Sequence, residues 1–399
     1  MSVEGWREVK FQDVTVNLDS KRIPLSSRVR ENRKGQFPYY GAQGIIDCID
    51  DYIFEGEYLL IAEDGENLKS KKQNVANLAN GKFWVNNHAH IIQNNDLSDL
   101  HFLSYVFNNI DITGYITGSA QPKLSQQNLN AIKFLLPPLF EQKVIASTLK
   151  TFDDTIELNN QINKKLEEMS QAIFKSWFVD FEPFKDGEFE ESELGWIPKG
   201  WRVDSIGNCT SIVTRGIAPK YAEISDGHVI NQKCIRDGSL NTSLARPHCS
   251  VVKEEKKLQF GDVLINSTGI GTLGRVAQVY EQLENYTVDS HVTIVRQNMS
   301  NGIGYFGCLL KNMQPKFEHA ATGSTGQTEL GREDIKQMRI LIPSNNIIDE
   351  FSKIYNSLSN KIVCCKKENT VLSNIRDTLL PKLMFGDIRV PVEEVEQLV

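Results

Sequence analysis

The chain has 399 residues, 40% of them apolar and 24% charged, and a net charge of -7. That length is too great for one ordinary domain, and the composition is that of a globular protein. No run of about 18 apolar residues occurs, the N-terminus lacks the apolar core of a secretory signal, and the seven cysteines form no C-x-x-C pair, so membrane, disulfide-framed and zinc-bound classes are set aside and a cytoplasmic protein with reduced thiols is expected.

In chain order, Trp6-Arg7 opens a strand-rich module. The overall charge argues mildly against a nucleic-acid partner. It is unevenly spread, however: Lys21, Arg22, Arg28, Arg30, Arg33 and Lys34 face a single acid, Glu31, and Lys69, Lys71 and Lys72 form a second basic knot. Buried strands are expected at Tyr58–Ala62 and His90–Ile92. The prolines Pro137 and Pro138 end the module and admit a helix. Its apolar stripe is Ile145, Leu149, Phe152, Ile156, Leu166 and Ile173, spaced by threes and fours, with Asn163 on the same seam. The acidic stretch 182–200 reads as a linker. Trp201-Arg202 then opens a second module, with strands expected at Val263–Ile265 and Val292–Val295. Pro343 ends it, and a second stripe follows at Phe351, Tyr355, Leu358, Ile362, Leu372 and Leu379, with Asn369 on its seam. An acidic tail closes the chain.

The two halves are copies. Val85-Asn86-Asn87-His88 returns as Val288-Asp289-Ser290-His291, and Thr117-Gly118-Ser119 as Thr322-Gly323-Ser324. From Pro137 and Pro343 onward the register holds at 206 residues, through Leu149 and Tyr355 to Asn163 and Asn369. Each helix, at roughly 38 residues and about 57 Å, is too long merely to cover its own module, so the two are expected to pair, and a polar seam residue can fix their register. The expected fold is α+β: two strand-rich α/β modules joined by two long helices in an antiparallel coiled coil, as a pseudo-two-fold repeat. Boundaries fall at 1–138, 139–181, 182–200, 201–343, 344–386 and 387–399.

Catalytic chemistry is sparse. Gly269–Gly274 matches G-x-G-x-x-G, but Arg275–Tyr280 reads as a strand where a dinucleotide site needs a helix. Thr322–Thr328 lacks the Gly-Lys-Ser/Thr ending of a phosphate loop, and its copy Thr117–Lys123 carries lysine in another frame. Both loops suit a DNA phosphate, or simply tuck a helix against a module. His88 and His291 have no metal partners at ligand spacing and read as core histidines. No methyltransferase, Walker A or nuclease motif occurs. A nucleotide-dependent transferase using the Gly269–Gly274 turn and a protein-only scaffold are the competing readings.

Several runs resemble the specificity subunits of type I restriction-modification systems. They are Leu136–Leu139 with Glu141-Gln142, Ala172–Phe184, Ser192–Trp201 and Leu379–Gly386. The resemblance implies two target recognition domains, each reading half of an asymmetric bipartite site in double-stranded DNA. It implies helices that set the gap and dock two methyltransferase (M) subunits, with two restriction (R) subunits in the full complex. It implies no catalytic residue, cofactor or metal in this chain, with S-adenosylmethionine in the M subunits and ATP with Mg in the R subunits. The sequence departs where Ser344 replaces Pro138 and Ile347-Ile348 replaces Glu141-Gln142, so the second helix entrance is expected to dock its M subunit differently. By residue chemistry, the DNA contacts expected are Asn67, Lys69, Ser70, Lys71, Lys72, Ser119, Gln121 and Lys123 in the first module. In the second they are Arg215, Lys220, Ser267, Thr268, Arg275, Ser324, Thr325 and Gln327.

Overall fold

The computed structural model describes residues 5–119, 121–299, 302–320 and 329–390. They belong to two compact units, one of residues 1–157 with 369–399 and one of residues 158–368.

In the first unit Arg7–Lys10 pairs antiparallel with Lys133–Leu136, which returns the chain to its start just before Pro137. Between them lies a six-stranded sheet in the order Thr15–Asn17, Ala89–Asn94, Phe54–Ala62, Ala76–Val85, Lys34–Gly41, Gly44–Ile49. Its central strands are apolar at successive residues because both faces are covered. Leu59, Ile61 and Ile92 enter one cluster, and Leu60 and Ile91 another.

The second unit repeats the plan. Arg202–Ser205 pairs with Arg339–Ile342. A four-stranded sheet runs Thr210–Arg215, Val292–Gln297, Val263–Asn266, Val276–Gln278. Val263, Ile265 and Val295 enter one cluster, and Leu264 and Ile294 another. The register matches the first unit's: Val263 lies opposite Val295 as Leu59 lies opposite Ile92.

The long helices are Leu139–Phe178 and Asn345–Met384, 40 residues each. They run antiparallel within each unit. In the first, Asp153 accepts from Arg376 at 2.6 Å and the Ile156 carbonyl from Asn369 at 3.4 Å. In the second, Asn159 donates to Glu368 at 3.0 Å, and Phe174 and Phe178 meet Phe351. Of the seam residues, Leu149, Asn163, Tyr355 and Ile362 are buried. Phe152, Ile156, Leu166, Ile173, Leu358, Asn369, Leu372 and Leu379 are half-buried. The Asn163 Oδ1 is buried with no hydrogen-bond partner among the described residues. Such an atom costs about 1–3 kcal/mol, so Asn163→Leu, of similar volume, is expected to raise the denaturation midpoint. A lowered midpoint would contradict this.

One expectation on the chain's organisation needs correction. The stretch 182–200 is folded rather than a bare linker. Phe189–Ser192 and Gly195–Pro198 form a hairpin, and the Phe181 and Phe184 rings lie 5.7 and 5.0 Å from that of Trp201. Aromatic side chains among the acids hold it down. The Glu141-Gln142 departure also has an internal cause. Glu141 is buried, accepting from the Trp6 indole at 2.8 Å and pairing with Arg389. Gln142 bonds the Asp99 amide and the Leu97 and Pro137 carbonyls. In the second unit Trp201 sits among rings, and Ile347 and Ile348 complete that apolar cluster. Each pair of residues matches the surroundings of its own tryptophan.

Candidate nucleic-acid interface

One loop framework occurs in both modules, at the end of the strand that carries Leu59 or Val263. In the first, the Glu63 amide donates to the His88 carbonyl and the Glu63 carbonyl accepts from Leu124, at 2.9 and 2.8 Å. In the second, Ser267 makes the same bonds to His291 and Leu330, at 2.9 Å each. The Asn86 side chain accepts from the His88 amide at 2.8 Å, and that of Asp289 from the His291 amide at 2.9 Å. Such side-chain turns fix the backbone before each histidine. An arginine clamps the next carbonyl. Arg22 donates to Asn87 and Ala89, at 3.4 and 3.0 Å, and Arg215 to Ser290, at 3.2 Å.

The lining differs. Beneath the first loops lies an ionic network. Arg22 pairs with Glu63 at 2.7 Å and Asp19 at 3.4 Å, His90 meets Asp19 at 2.5 Å, and Lys123 meets Glu63 at 3.1 Å. Burial opposes ionisation of Asp19, yet the hydrogen bond and charge of His90, the Ile91 amide and Arg22 outweigh it and lower the pKa. Glu63 is lowered likewise, burial being overcome by Arg22 and Lys123. Asp19, Glu63 and His90 stand close enough together to hold a cation, but Arg22 and Lys123 already neutralise the carboxylates. In the second module a neutral pair, Ser267 and Thr293, whose hydroxyls meet at 2.6 Å, stands where Glu63 and His90 stand in the first, and only the arginine keeps an acid, Glu329, among the described residues.

Several expected contacts are committed inside the protein. Asn67 is buried and fastens its loop by bonds to and from Gln73, at 2.9 Å each. Ser267 is fully buried. Neither side chain reaches a base edge from there. Lys71 is half-buried and donates to the Ile110 carbonyl, and burial lowers its pKa. Lys69 reaches the Gly118 carbonyl at 3.4 Å. Arg215 is held by Glu329 and the Leu330 carbonyl, at 2.7 and 2.8 Å, and Arg275 by the Gly271 carbonyl at 2.7 Å. Lys69, Ser70, Lys72, Ser119, Gln121, Lys123 and Lys220 are exposed, and Thr268 is half-buried. Ser324, Thr325 and Gln327 lie outside the described residues.

The Gly269–Gly274 turn leads into the strand Val276–Gln278. A dinucleotide site needs a helix opening at the third glycine, and a strand follows there instead. Gly269 has φ +103°, and a Cβ would lie 2.4 Å from Thr272 Oγ1 and 2.5 Å from Gln232 Nε2. The tight turn holds Ile270 almost wholly exposed. His88 and His291, expected in the core, are exposed. His88 Nδ1 lies 2.6 Å from Asp64, and His291 Nδ1 lies 2.8 Å from Thr268 Oγ1. Their equivalence was visible in the sequence. Their exposure was not, because each partner is contributed by a distant strand end.

A module built twice on one backbone frame, with a different lining each time, defines a class of protein with two related loop surfaces. Comparison with known proteins supplies the family. The Type I restriction modification DNA specificity domain matches residues 3–168. The Type I restriction enzyme MjaIX specificity subunit of Methanocaldococcus jannaschii is 32% identical over 305 residues, 72% of this chain and 69% of the relative. The HindI specificity subunit of Haemophilus influenzae is 24% identical over 336 residues, 67% of this chain and 71% of that one. A crystal structure of a type I restriction-modification S subunit from M. genitalium shares the fold, with a TM-score of 0.63 at 17% identity over 95% of this chain and 96% of that one. The chain belongs to the specificity subunits of type I restriction-modification systems, the subunits of DNA sequence specificity. Among the described residues no helix is long and apolar enough to cross a membrane.

Proposed function

We propose that each module, 1–138 and 201–343, reads one half of an asymmetric bipartite site in duplex DNA. The observation that supports this best is the shared loop framework with unlike lining: an ionic network around Glu63 in one module, a hydroxyl pair around Ser267 in the other. Shared backbone would present both loop sets alike, and different side chains would read different bases.

The paired helices set the gap between half-sites and dock two M subunits. A helix of 40 residues is about 60 Å long at 1.5 Å per residue, more than one DNA turn of roughly 34–36 Å. The chain has no catalytic role of its own. The M subunits bring S-adenosylmethionine and methylate adenine N6, and two R subunits bring ATP- and Mg-dependent cleavage, in the cytoplasm. M subunits also supply phosphate contacts, which makes the net charge of -7 tolerable. A binding selection from randomised duplexes, using the full chain with its M subunits, tests this reading. Enrichment of a two-part asymmetric motif is expected. Binding without any enriched sequence would favour the protein-only scaffold.

A further inference from the structure

We infer that His88 and His291 are equivalent base-reading residues set to opposite hydrogen-bond polarity by the residues behind them. This rests on the DNA-reading function proposed above and deepens it. Both rings stand at one position of the shared framework, preceded by the same side-chain turn and joined to the same strand end. Both are exposed, and each is held through Nδ1 alone, so that Nε2 of neither ring has a hydrogen-bond partner among the described residues.

The holders differ in what they permit. Asp64 Oδ2, 2.6 Å from His88 Nδ1, belongs to a carboxylate, which only accepts when ionised. The proton between them therefore sits on His88 Nδ1, and in the uncharged tautomer this leaves Nε2 as an acceptor. In the second module the chain of bonds runs the other way. Gln232 Nε2 bonds the Thr268 carbonyl, which can only accept, so this end of Gln232 is its NH2 group. The same nitrogen lies 3.1 Å from Thr268 Oγ1 and donates to it. Among the described residues the one acceptor within reach of the Thr268 hydroxyl proton is His291 Nδ1, 2.8 Å away. Nδ1 accepts, and Nε2 carries the proton outward as a donor.

In the major groove cytosine offers only a donor, guanine and thymine offer only acceptors, and adenine offers one of each. His88 thus selects adenine or cytosine at its position, and His291 rejects cytosine at its own. The Asp64/Thr268 difference encodes part of the asymmetry of the site.

The test is the randomised-duplex selection, repeated with full chains carrying His88→Ala, His291→Ala and Thr268→Asp, each checked for an unchanged melting temperature. Each alanine variant is expected to relax one base position in one half-site by about tenfold and to leave the other half-site intact. Thr268→Asp is expected to reverse the preference at the His291 position toward adenine or cytosine. The inference is overturned if both alanine variants select the parent motif, if they weaken all sequences equally, as a phosphate contact would, or if Thr268→Asp leaves the preference in place. A parent chain that selects no motif would instead remove the DNA-reading function itself.

Discussion

Phe351→Ala is expected to destabilise the second unit by about 3–5 kcal/mol, the usual cost of emptying a phenylalanine site in a packed core. The Phe351 ring is 1% exposed. It meets Phe178 at 5.1 Å, Tyr355 at 5.8 Å, Phe174 at 6.0 Å and Trp177 at 6.1 Å. These rings come from both long helices, and Phe178 also touches Trp201, at the mouth of the second module, at 5.8 Å. Removing Phe351 therefore loosens the helix pair and the module's entrance together. Collapse into the gap is hindered because the surrounding rings are already fixed by one another. Chemical denaturation gives the number. Phe260→Ala, at a half-exposed ring of the same unit, is the control and should change stability by well under half as much. Equal losses for the two would contradict the assignment of this cluster as the unit's core.

Arg22→Met is expected to cost the first unit about 3–5 kcal/mol, because removing one partner of a buried ion network leaves uncompensated charge. Asp19 and Glu63 are 5% and 13% exposed at the side chain, and Arg22 neutralises both. The pH dependence follows in sign. Both carboxyl pKa values are lowered in the folded protein. Their contribution is therefore present above the unfolded carboxylate range of about 4 and is lost as pH falls through the lower folded values. Without Arg22 the folded values rise, so the acid limb of the variant's stability curve should begin at higher pH. Glu63→Gln in the Arg22→Met background should recover part of the loss, since it removes one of the orphaned charges. Denaturation midpoints across pH 3–7 test this. Superimposable curves for parent and variant would contradict it. An exposed pair such as Lys82 and Glu55, 3.8 Å apart, should by contrast contribute little, because solvent screens it.

The long helices were legible because their stripes keep a helical period over many turns, and Leu149, Tyr355 and Ile362 are buried as that period implies. The central strands were legible because runs such as Leu59–Ile61 lack polar residues altogether. What stayed hidden depends on partners far away in sequence. Asp19, Glu63, His90 and Lys123 converge only when the strands are laid side by side. Asn67 and Ser267 have the chemistry of base readers but are spent on Gln73 and Thr293. Lys71 reads as a basic contact but is bonded to the Ile110 carbonyl. The stretch 182–200 reads as an acidic linker because acids outnumber its rings, yet Phe184 within it and Phe181 and Trp201 at its two ends pack together. Residue type shows what a side chain is able to bind, and the fold decides whether it is still free to do so.

The central claim is that this chain directs a DNA mark to a two-part sequence. Long-read methylation profiling of the source organism, with and without the gene for this chain, tests it most directly. The account predicts adenine methylation at an asymmetric bipartite motif that disappears on deletion and returns with the restored gene. Persistence of every methylated motif in the deletion strain would contradict it.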